Sequence, residues 1–295
     1  MIPRELLKRI RRIEIATRRK VTSRFAGGYL STFRGQGMEF DDVRQYQPGD
    51  DIRHIDWNVT ARAGEAYVKR FVVEREMTVV LVVDVSGSLA FGSGAQGKGE
   101  LVNELCTLLA FLAIGNGDRV GLVLASDRVE VYIPPAKGKN HLYRVIRALL
   151  THEPEHTGTD LGAALAFVLK VIPRHATVFL ASDFLLGVGD GFARALGRLA
   201  RRHDAIAVSI TDPAEMELPA AGLVTVRDPE GAGVTVVDIA DPKVRAEAAA
   251  RTARDREEVR RLFTRHGVDH MPLSTAVSYM EPVLRFFRTR ARRLR

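Results

Sequence analysis

The chain has 295 residues, 46% of them hydrophobic and 27% charged, which is enough for one large domain or about two smaller ones. Its formal net charge of +8 resides at the two ends, because residues 1–24 carry +7 and residues 281–295 carry +5, which leaves −4 between them. A single cysteine, Cys106, excludes a disulfide framework and a thiolate zinc cluster, and its place in a helical pattern of leucines predicts a core thiol.

The amino-acid sequence shows no signal for targeting or for membrane insertion. No run approaches the roughly 18 apolar residues of a membrane span. The basic N-terminus lacks the apolar core and the small-residue cleavage site of a signal peptide. We therefore expect a cytoplasmic protein with no membrane span.

The first predicted segment, residues 1–76, joins a basic helix to a stretch rich in Asp and Arg. Isoleucine and leucine recur at helical spacing between positions 2 and 13 among Lys and Arg, which predicts an amphipathic helix. Five aspartates fall within sixteen residues of the stretch 33–62. Neighbouring arginines favour a polar structural network over a partner-binding surface or a metal or catalytic cluster, and Trp57 is interpreted as a core anchor of that network.

The next apolar run leads directly into a polar motif. Residues 78–83 are rich in β-branched side chains, which predicts a strand buried on both faces, as in a parallel sheet. Asp84, Ser86 and Ser88 follow at alternate positions and so point the same way if the extended path continues. One carboxylate and two hydroxyls at the C-terminal end of a central strand suit Mg²⁺ or Mn²⁺, although such residues also cap helices.

Strand and helix patterns alternate from residue 77 to residue 240, which predicts βα units and a mostly parallel sheet. The predicted strands are 78–83, 119–125, 129–133, 176–180 and 205–210, and the predicted helices are 98–115, 141–150, 160–171 and 192–201. Short links predict hairpins at 119–133 and at 223–237. Residues 241–295 are predicted as a helical segment packed on this sheet domain, with one long exposed helix at 243–266.

Two later residues belong to the same predicted edge of the sheet. Thr159 precedes the helix 160–171, and Asp183 ends the buried run 176–180. In order and spacing, these positions resemble the metal-ion-dependent adhesion site of von Willebrand factor A domains: Asp84, Ser86, Ser88, Thr159 and Asp183.

The resemblance implies a fold, ligand roles and an interface. The fold is a von Willebrand factor A-like α/β sheet with helices on both faces, here with an N-terminal α+β extension and C-terminal helices. Ser86, Ser88 and Thr159 would ligate Mg²⁺ or Mn²⁺ through hydroxyl oxygens, and Asp84 and Asp183 would act largely through bound waters. The remaining coordination position would accept an acidic side chain from a partner, which is recognition rather than turnover.

A second resemblance covers nearly the whole chain. Its signature residues are Arg34-Gly35, Glu39-Phe40, Arg44, Tyr46, Pro48-Gly49-Asp50-Asp51, Arg53, Ile55-Asp56-Trp57, Thr60-Ala61-Arg62, Val68-Lys69, Gly117-Asp118-Arg119-Val120-Gly121, Ser182-Asp183-Phe184, Asp212-Pro213, Leu218-Pro219 and Phe286-Phe287-Arg288. This pattern is similar to that of domain of unknown function family 58 (DUF58). The resemblance implies a prokaryotic cytoplasmic accessory protein that serves a MoxR-type AAA+ ATPase and its client proteins.

Other functions have weaker support in the sequence. The stretch Gly92–Lys98 fits G-x-x-x-x-G-K, but Gly99 cannot replace the Ser or Thr that holds Mg²⁺ in a phosphate loop, so we expect a flexible loop there. We identify no catalytic constellation and expect no enzyme; a metal-dependent hydrolase using Asp41, Asp42 or Asp183 stays open. Nucleic-acid binding through the basic ends also stays open, although no aromatic residues are interleaved there to stack on bases.

Overall fold

The computed structural model of the protein describes residue 29 and residues 37–74, 76–94, 96–185, 189–216, 221–227 and 233–293. The predicted amphipathic helix within residues 2–13 lies outside these residues. The chain divides into two compact units, residues 33–77 and residues 1–32 together with 78–295.

The smaller unit is an antiparallel strand pair with a short helix in its connection. Its elements are strand β1 (Gly37–Gln45), a 3-10 turn (Ile52–His54), helix α1 (Trp57–Ala63) and strand β2 (Tyr67–Glu74). After β1 the chain turns through Pro48 and Gly49, where the Asp50 amide donates to the Gln47 carbonyl at 3.0 Å. Gly49 has φ +105°, a left-handed conformation that glycine adopts without strain, so the Pro-Gly pair specifies this turn.

Three of the five aspartates of this unit have structural roles. The Arg44 guanidinium forms a bidentate ion pair with Asp50, at 2.8 Å and 2.6 Å. Asp51 pairs with Arg53 at 2.7 Å, and Asp56 accepts hydrogen bonds from backbone NH groups at the N-terminus of α1. These contacts are those of a polar structural network. The side chains of the other two aspartates, at positions 41 and 42, lie outside the described part of the chain.

The prediction that Trp57 anchors the core is wrong. Its side chain is 70% exposed, and helix α1, all of whose residues are described, has none that is buried. Since this helix packs no face into a core, the indole ring at its first position stays in contact with solvent.

The larger unit alternates strands and helices along the chain. Its elements are β3 (Thr78–Asp84), α2 (Lys98–Gly115), β4 (Arg119–Ala125), β5 (Val129–Ala136), α3 (Lys139–Thr151), α4 (Leu161–Val171), β6 (Thr177–Ser182), α5 (Asp190–Arg202), β7 (Asp204–Thr211), α6 (Pro213–Met216), β8 (Leu223–Arg227), β9 (Val234–Asp238), α7 (Pro242–His266), β10 (Asp269–Ser274) and α8 (Met280–Arg293).

Six strands form one sheet in the order β10-β7-β6-β3-β4-β5. All neighbours are parallel except β4 and β5, which form the predicted hairpin at one edge of the sheet. Strands β8 and β9 pair antiparallel as a separate hairpin, also as predicted. The mostly parallel α/β sheet of the predicted fold class is therefore confirmed.

Strand β10 was not predicted, because residues 241–295 were expected to be helical. The sequence of β10, Asp-His-Met-Pro-Leu-Ser, has only two side chains that become fully buried. Its pairing partner β7 supplies the other half of the hydrogen-bond ladder, from Asp269 opposite Ile206 to Ser274 opposite Thr211. A strand with so weak a local pattern is defined by its neighbour rather than by its own residues.

Helices cover both faces of the sheet, as a parallel sheet requires. On one face, Val80 and Val82 of β3 share a core with Leu165 of α4, Leu196 of α5 and Phe263 of α7. On the other face, α2 packs against β3, β4 and β7 through its buried leucines. No helix in the described part of the chain combines the length and apolar character needed to cross a bilayer.

The predicted core thiol lies in α2. Cys106 is buried, and burial raises the pKa of its thiol to about 12, so the inert thiol and not a reactive thiolate is present at neutral pH.

Two buried polar contacts tie distant segments to the sheet. The Tyr29 hydroxyl donates to Asp118 at 3.0 Å, and the Tyr29 ring lies edge-on to Phe287 of α8, with 6.1 Å between ring centroids. Arg290 of α8 is buried and forms ion pairs with Asp204 and Asp269, the first residues of β7 and β10. Asp118 belongs to the Gly-Asp-Arg signature before β4, so that signature has a structural reason.

We expect Arg290→Met to lower the free energy of unfolding by about 2 kcal/mol, because it leaves two partly buried carboxylates without their shared cation. Urea denaturation followed by circular dichroism measures this loss. Arg285→Met is the matched control, since Arg285 lies on the same helix in an exposed ion pair with Glu281 and is expected to cost little. Equal losses of stability in the two variants would contradict the stabilising role assigned to the ion pairs of Arg290 with Asp204 and Asp269.

His203 is a buried histidine that we expect to make the protein sensitive to acid. Its side chain is buried, and neither ring nitrogen has a hydrogen-bond partner among the described residues. Burial, with smaller contributions from the charges of Arg202 and His175, lowers the pKa of His203 to about 4. Since the unfolded imidazole titrates near 6.5, its stabilising contribution is complete above about pH 6.5 and is lost as the pH falls toward 4.

We expect His203→Leu to reduce the stability lost between pH 7.5 and pH 5 by on the order of 1 kcal/mol, because leucine cannot take up the proton. Thermal denaturation at the two pH values measures the difference. A variant as acid-sensitive as the parent would show that His203 does not cause the effect.

Candidate functional site

The parallel pairing of β3 with β6 brings two polar strand ends together. Val79 to Val83 lie opposite Thr177 to Ala181, so the chain leaves both strands at the same level of the sheet. Asp84 is the last residue of β3, and Ser182 and Asp183 end and follow β6. All three side chains are buried, at the carboxyl edge where parallel α/β sheets place their ligands.

Asp84 is held by hydrogen bonds to both carboxylate oxygens. Its Oδ1 accepts from the Ser86 amide at 2.9 Å, and its Oδ2 accepts from the Ser182 hydroxyl at 2.6 Å. Burial raises the pKa of Asp84, while the hydrogen bonds from Ser182 and Ser86 act in the opposite direction. The carboxylate is therefore a fixed acceptor that needs positive charge or donors in its surroundings.

The two serines of the motif lie together in the structure, but a turn brings them together and not the continued extended path on which the prediction rested. Ser86 Oγ and Ser88 Oγ are 3.2 Å apart, and both side chains are buried. Ser86 precedes the 3-10 turn Gly87–Ala90, which carries Ser88 back toward it. The result is a pair of hydroxyl oxygens next to the Asp84 carboxylate.

The loop that contains Thr159 lies against this turn. The Gly87 amide donates to the Thr157 carbonyl at 3.0 Å, and the Asp160 amide donates to the Ser126 carbonyl at 2.9 Å. Thr159 lies between these two anchored residues and is half-buried. The structure thus brings the predicted loop to the predicted edge of the sheet.

A buried carboxylate braces the same loop. Glu130 of β5 accepts from His152 Nε2 at 2.7 Å and from the Glu155 amide at 3.1 Å, and the Ser126 hydroxyl donates to it as well. Burial raises the pKa of Glu130, but these donors outweigh it and hold the pKa below its usual value. His152 is therefore a structural partner of Glu130.

Asp183 is fixed by a backbone turn of unusual conformation. The next residue, Phe184, has φ +52°, a left-handed conformation that is rare for a bulky side chain. This turn directs the Leu185 amide to Asp183 Oδ1 at 3.2 Å and the Phe184 amide to the Ser182 hydroxyl at 3.0 Å. The Phe184 ring packs edge-on against Phe263, 5.2 Å between centroids, which holds the strained residue in place.

Sequence reasoning missed the cation of the site. Lys98 has no solvent exposure, and its Nζ lies 2.6 Å from Asp183 Oδ2 and also pairs with Glu215. Arg256 of α7 approaches Glu215 at 3.6 Å. In the sequence, Lys98 stands out only as the end of a false phosphate motif, in a segment predicted to be a flexible loop. A second residue of that segment also has a defined partner, because the Ser93 amide donates to the buried Asp212 at 3.0 Å.

Comparison with known proteins identifies the family. Residues 42–258 match the family described as protein of unknown function DUF58. The chain belongs to the DUF58 family. It is 31% identical over 290 residues to the uncharacterized protein Rv1480 of Mycobacterium tuberculosis. The aligned region covers 98% of this chain and 90% of that protein.

Solved structures with a similar sheet are distant in sequence. The conserved hypothetical protein BatB of Bacteroides thetaiotaomicron has a TM-score of 0.47 and 15% identity, covering 73% of this chain and 99% of that one. A von Willebrand factor type A protein of Catenulispora acidiphila has a TM-score of 0.38 and 12% identity, covering 76% of this chain and 44% of that one.

The DUF58 site has a donor set that suits a small divalent cation. Hydroxyl and carboxylate oxygens are hard ligands, and two ligands at neighbouring positions of an octahedral Mg²⁺ ion lie about 3 Å apart. The 3.2 Å between Ser86 Oγ and Ser88 Oγ is close to that separation. No group of three or more His, Cys, Asp or Glu forms a metal centre among the described residues, and a site based on hydroxyls does not require one.

We expect Ser182→Ala to destabilise this DUF58 protein by about 1 to 3 kcal/mol, because buried Asp84 loses a hydroxyl donor. Chemical denaturation measures the change. Ser278→Ala is the control: its exposed hydroxyl makes only a long hydrogen bond, 3.4 Å, from the Met280 amide, so its loss is expected to cost less than that of the buried Ser182 hydroxyl. If both variants are as stable as the parent, the Ser182 hydrogen bond does not fix Asp84.

Proposed function

We propose that the protein is a non-enzymatic protein-interaction module that binds its partner through a divalent cation, Mg²⁺ or Mn²⁺. Ser86, Ser88 and Thr159 would hold the ion through their hydroxyl oxygens, and Asp84 and Asp183 through waters and hydrogen bonds. When bound, the ion supplies a Lewis-acidic position for a carboxylate oxygen of the partner. The observation that carries this proposal is the hydroxyl pair, 3.2 Å apart, beside the buried Asp84.

The arrangement favours binding over catalysis. The hydroxyls of Ser86 and Ser88 lie against each other. The neighbouring Asp84 carboxylate already accepts from the Ser182 hydroxyl and the Ser86 amide, so it is poorly placed to act as the base that a nucleophilic serine needs. Asp84 accepts from a serine and from a backbone amide, and so orients the loop. Groups held this rigidly present a preorganised surface at low entropic cost, which is the requirement of a recognition site.

We further propose that the partner is a MoxR-type AAA+ ATPase, with its client protein, in the cytoplasm of a prokaryotic cell. Membership of the DUF58 family supports this choice, since the family signature in this chain is the one that implied such an ATPase. The module would serve maturation or assembly of the client, with an acidic side chain of the partner completing the shell of the ion.

Asp84→Asn tests the role of the site with little change in side-chain volume. We expect the variant to remain folded and to lose at least about tenfold in affinity for the purified ATPase, because the loop loses its anionic anchor. Surface plasmon resonance with immobilised protein measures binding. An AAA+ ATPase itself uses Mg²⁺ with its nucleotide, so chelation alone does not separate the two metal requirements, whereas the variant does.

The control for this experiment is Glu281→Gln, which removes a carboxylate whose side chain is 83% exposed on α8. It is expected to bind as the parent does. Undiminished binding by a folded Asp84→Asn variant would overturn the cation-mediated contact, and failure of the parent to bind any such ATPase would overturn the choice of partner.

A further inference from the structure

Lys98 carries a positive charge at a position where such a charge is energetically unfavourable. It is the first residue of α2, where the helix dipole is positive, and its side chain is completely buried. A buried ammonium also loses its hydration and persists only where carboxylates replace the lost water. Both costs indicate that the charge of Lys98 is set against specific anions rather than placed there by packing.

Those anions are Asp183 and Glu215. The Lys98 ammonium lies between them, and the Arg256 guanidinium lies 3.6 Å from the Glu215 carboxylate. The cluster thus holds two carboxylates and two cations, so its charges balance without any added ion. Phe91 contributes a further contact, since Lys98 Nζ lies 5.8 Å from the centre of its ring.

The balanced cluster overlaps the candidate cation site at one residue. Asp183 is both the partner of Lys98 and one of the five residues expected to surround the ion. A divalent cation next to Ser86 and Ser88 therefore enters a region in which the negative charge of Asp183 is already compensated. Repulsion by a nearby ammonium is strong where water is excluded.

We propose that Lys98 sets the metal affinity of the site: its ammonium is the resident counter-ion of Asp183 and weakens divalent-cation binding at Asp84, Ser86 and Ser88. This inference rests on the proposed function, because it concerns the same cation. The Lys98 ammonium makes the affinity for a divalent cation lower than the oxygen ligands alone would give. The ion pairs of the cluster compensate its carboxylates by themselves, and a divalent cation is held firmly only when further negative charge arrives with the partner.

Titration of the purified full chain with MnCl₂, followed by calorimetry and by the electron paramagnetic resonance of free Mn²⁺, tests the proposal. We expect Lys98→Met to bind Mn²⁺ about tenfold more tightly than the parent, because the opposing charge is gone. Structural damage would weaken binding, so a gain in affinity is not produced by misfolding. MgCl₂ competition confirms that the same site is measured.

Two further variants complete the design. Lys98→Gln removes the charge but keeps an amide donor for Asp183, and serves if the methionine variant does not fold. Lys139→Met is the matched control: Lys139 is also the first residue of its helix, α3, and also lies 5.8 Å from an aromatic ring, that of Tyr143, but it is exposed. Its removal is expected to leave Mn²⁺ affinity unchanged.

The outcomes separate this inference from the proposed function. If the parent binds Mn²⁺ and the folded Lys98 variants bind it equally or more weakly, the inference is overturned and the metal site stands. If only the Lys98 variants bind, the inference is supported and the ammonium replaces the metal in the natural chain, which overturns the cation-mediated contact. If neither binds, both are overturned.

Discussion

The parallel register between β3 and β6 is the constraint on which the candidate site depends. Because Val83 lies opposite Ala181, Asp84 and Ser182 leave the sheet side by side and the Ser182 hydroxyl reaches the Asp84 carboxylate. A slip of one residue would turn every side chain of β3 to the other face, against different helices, and would move Asp84 away from Ser182. The geometry of the site therefore follows from hydrophobic packing that takes no part in its chemistry.

The second constraint is that every buried carboxylate needs a donor or a cation, and each of these carboxylates has its own partners. Asp84 relies on hydroxyl and backbone donors, Asp183 on the ammonium of Lys98, and Glu130 on His152. Each of these hydrogen bonds and ion pairs joins segments that are distant in sequence. Because a buried charge without its partner is costly, the pairing also fixes the relative positions of those segments. The same logic applies at the opposite end of the unit, where Arg290 joins two strands to α8.

Prediction from the sequence succeeded where the signal is local. The run before Asp84 is a strand because its β-branched side chains fit a doubly buried position, and the hairpin of β4 and β5 follows from a short polar link. It failed where the outcome depends on a neighbour. Strand β10 exists because β7 offers a free edge, and Trp57 is exposed because α1 buries no face.

By itself the sequence determined which residues stand at the carboxyl ends of the strands, since strand length and alternation are properties of a few consecutive side chains. Alternation places Asp84 at the end of β3, whereas the turn Gly87–Ala90 brings the Ser88 hydroxyl back to that of Ser86. Only the tertiary structure decided the charge of the site. Lys98 meets a carboxylate 85 positions away in the sequence and another 117 positions away. Strand order, and not spacing along the chain, brings those groups together, because contacts at such separations exist only once the sheet has formed.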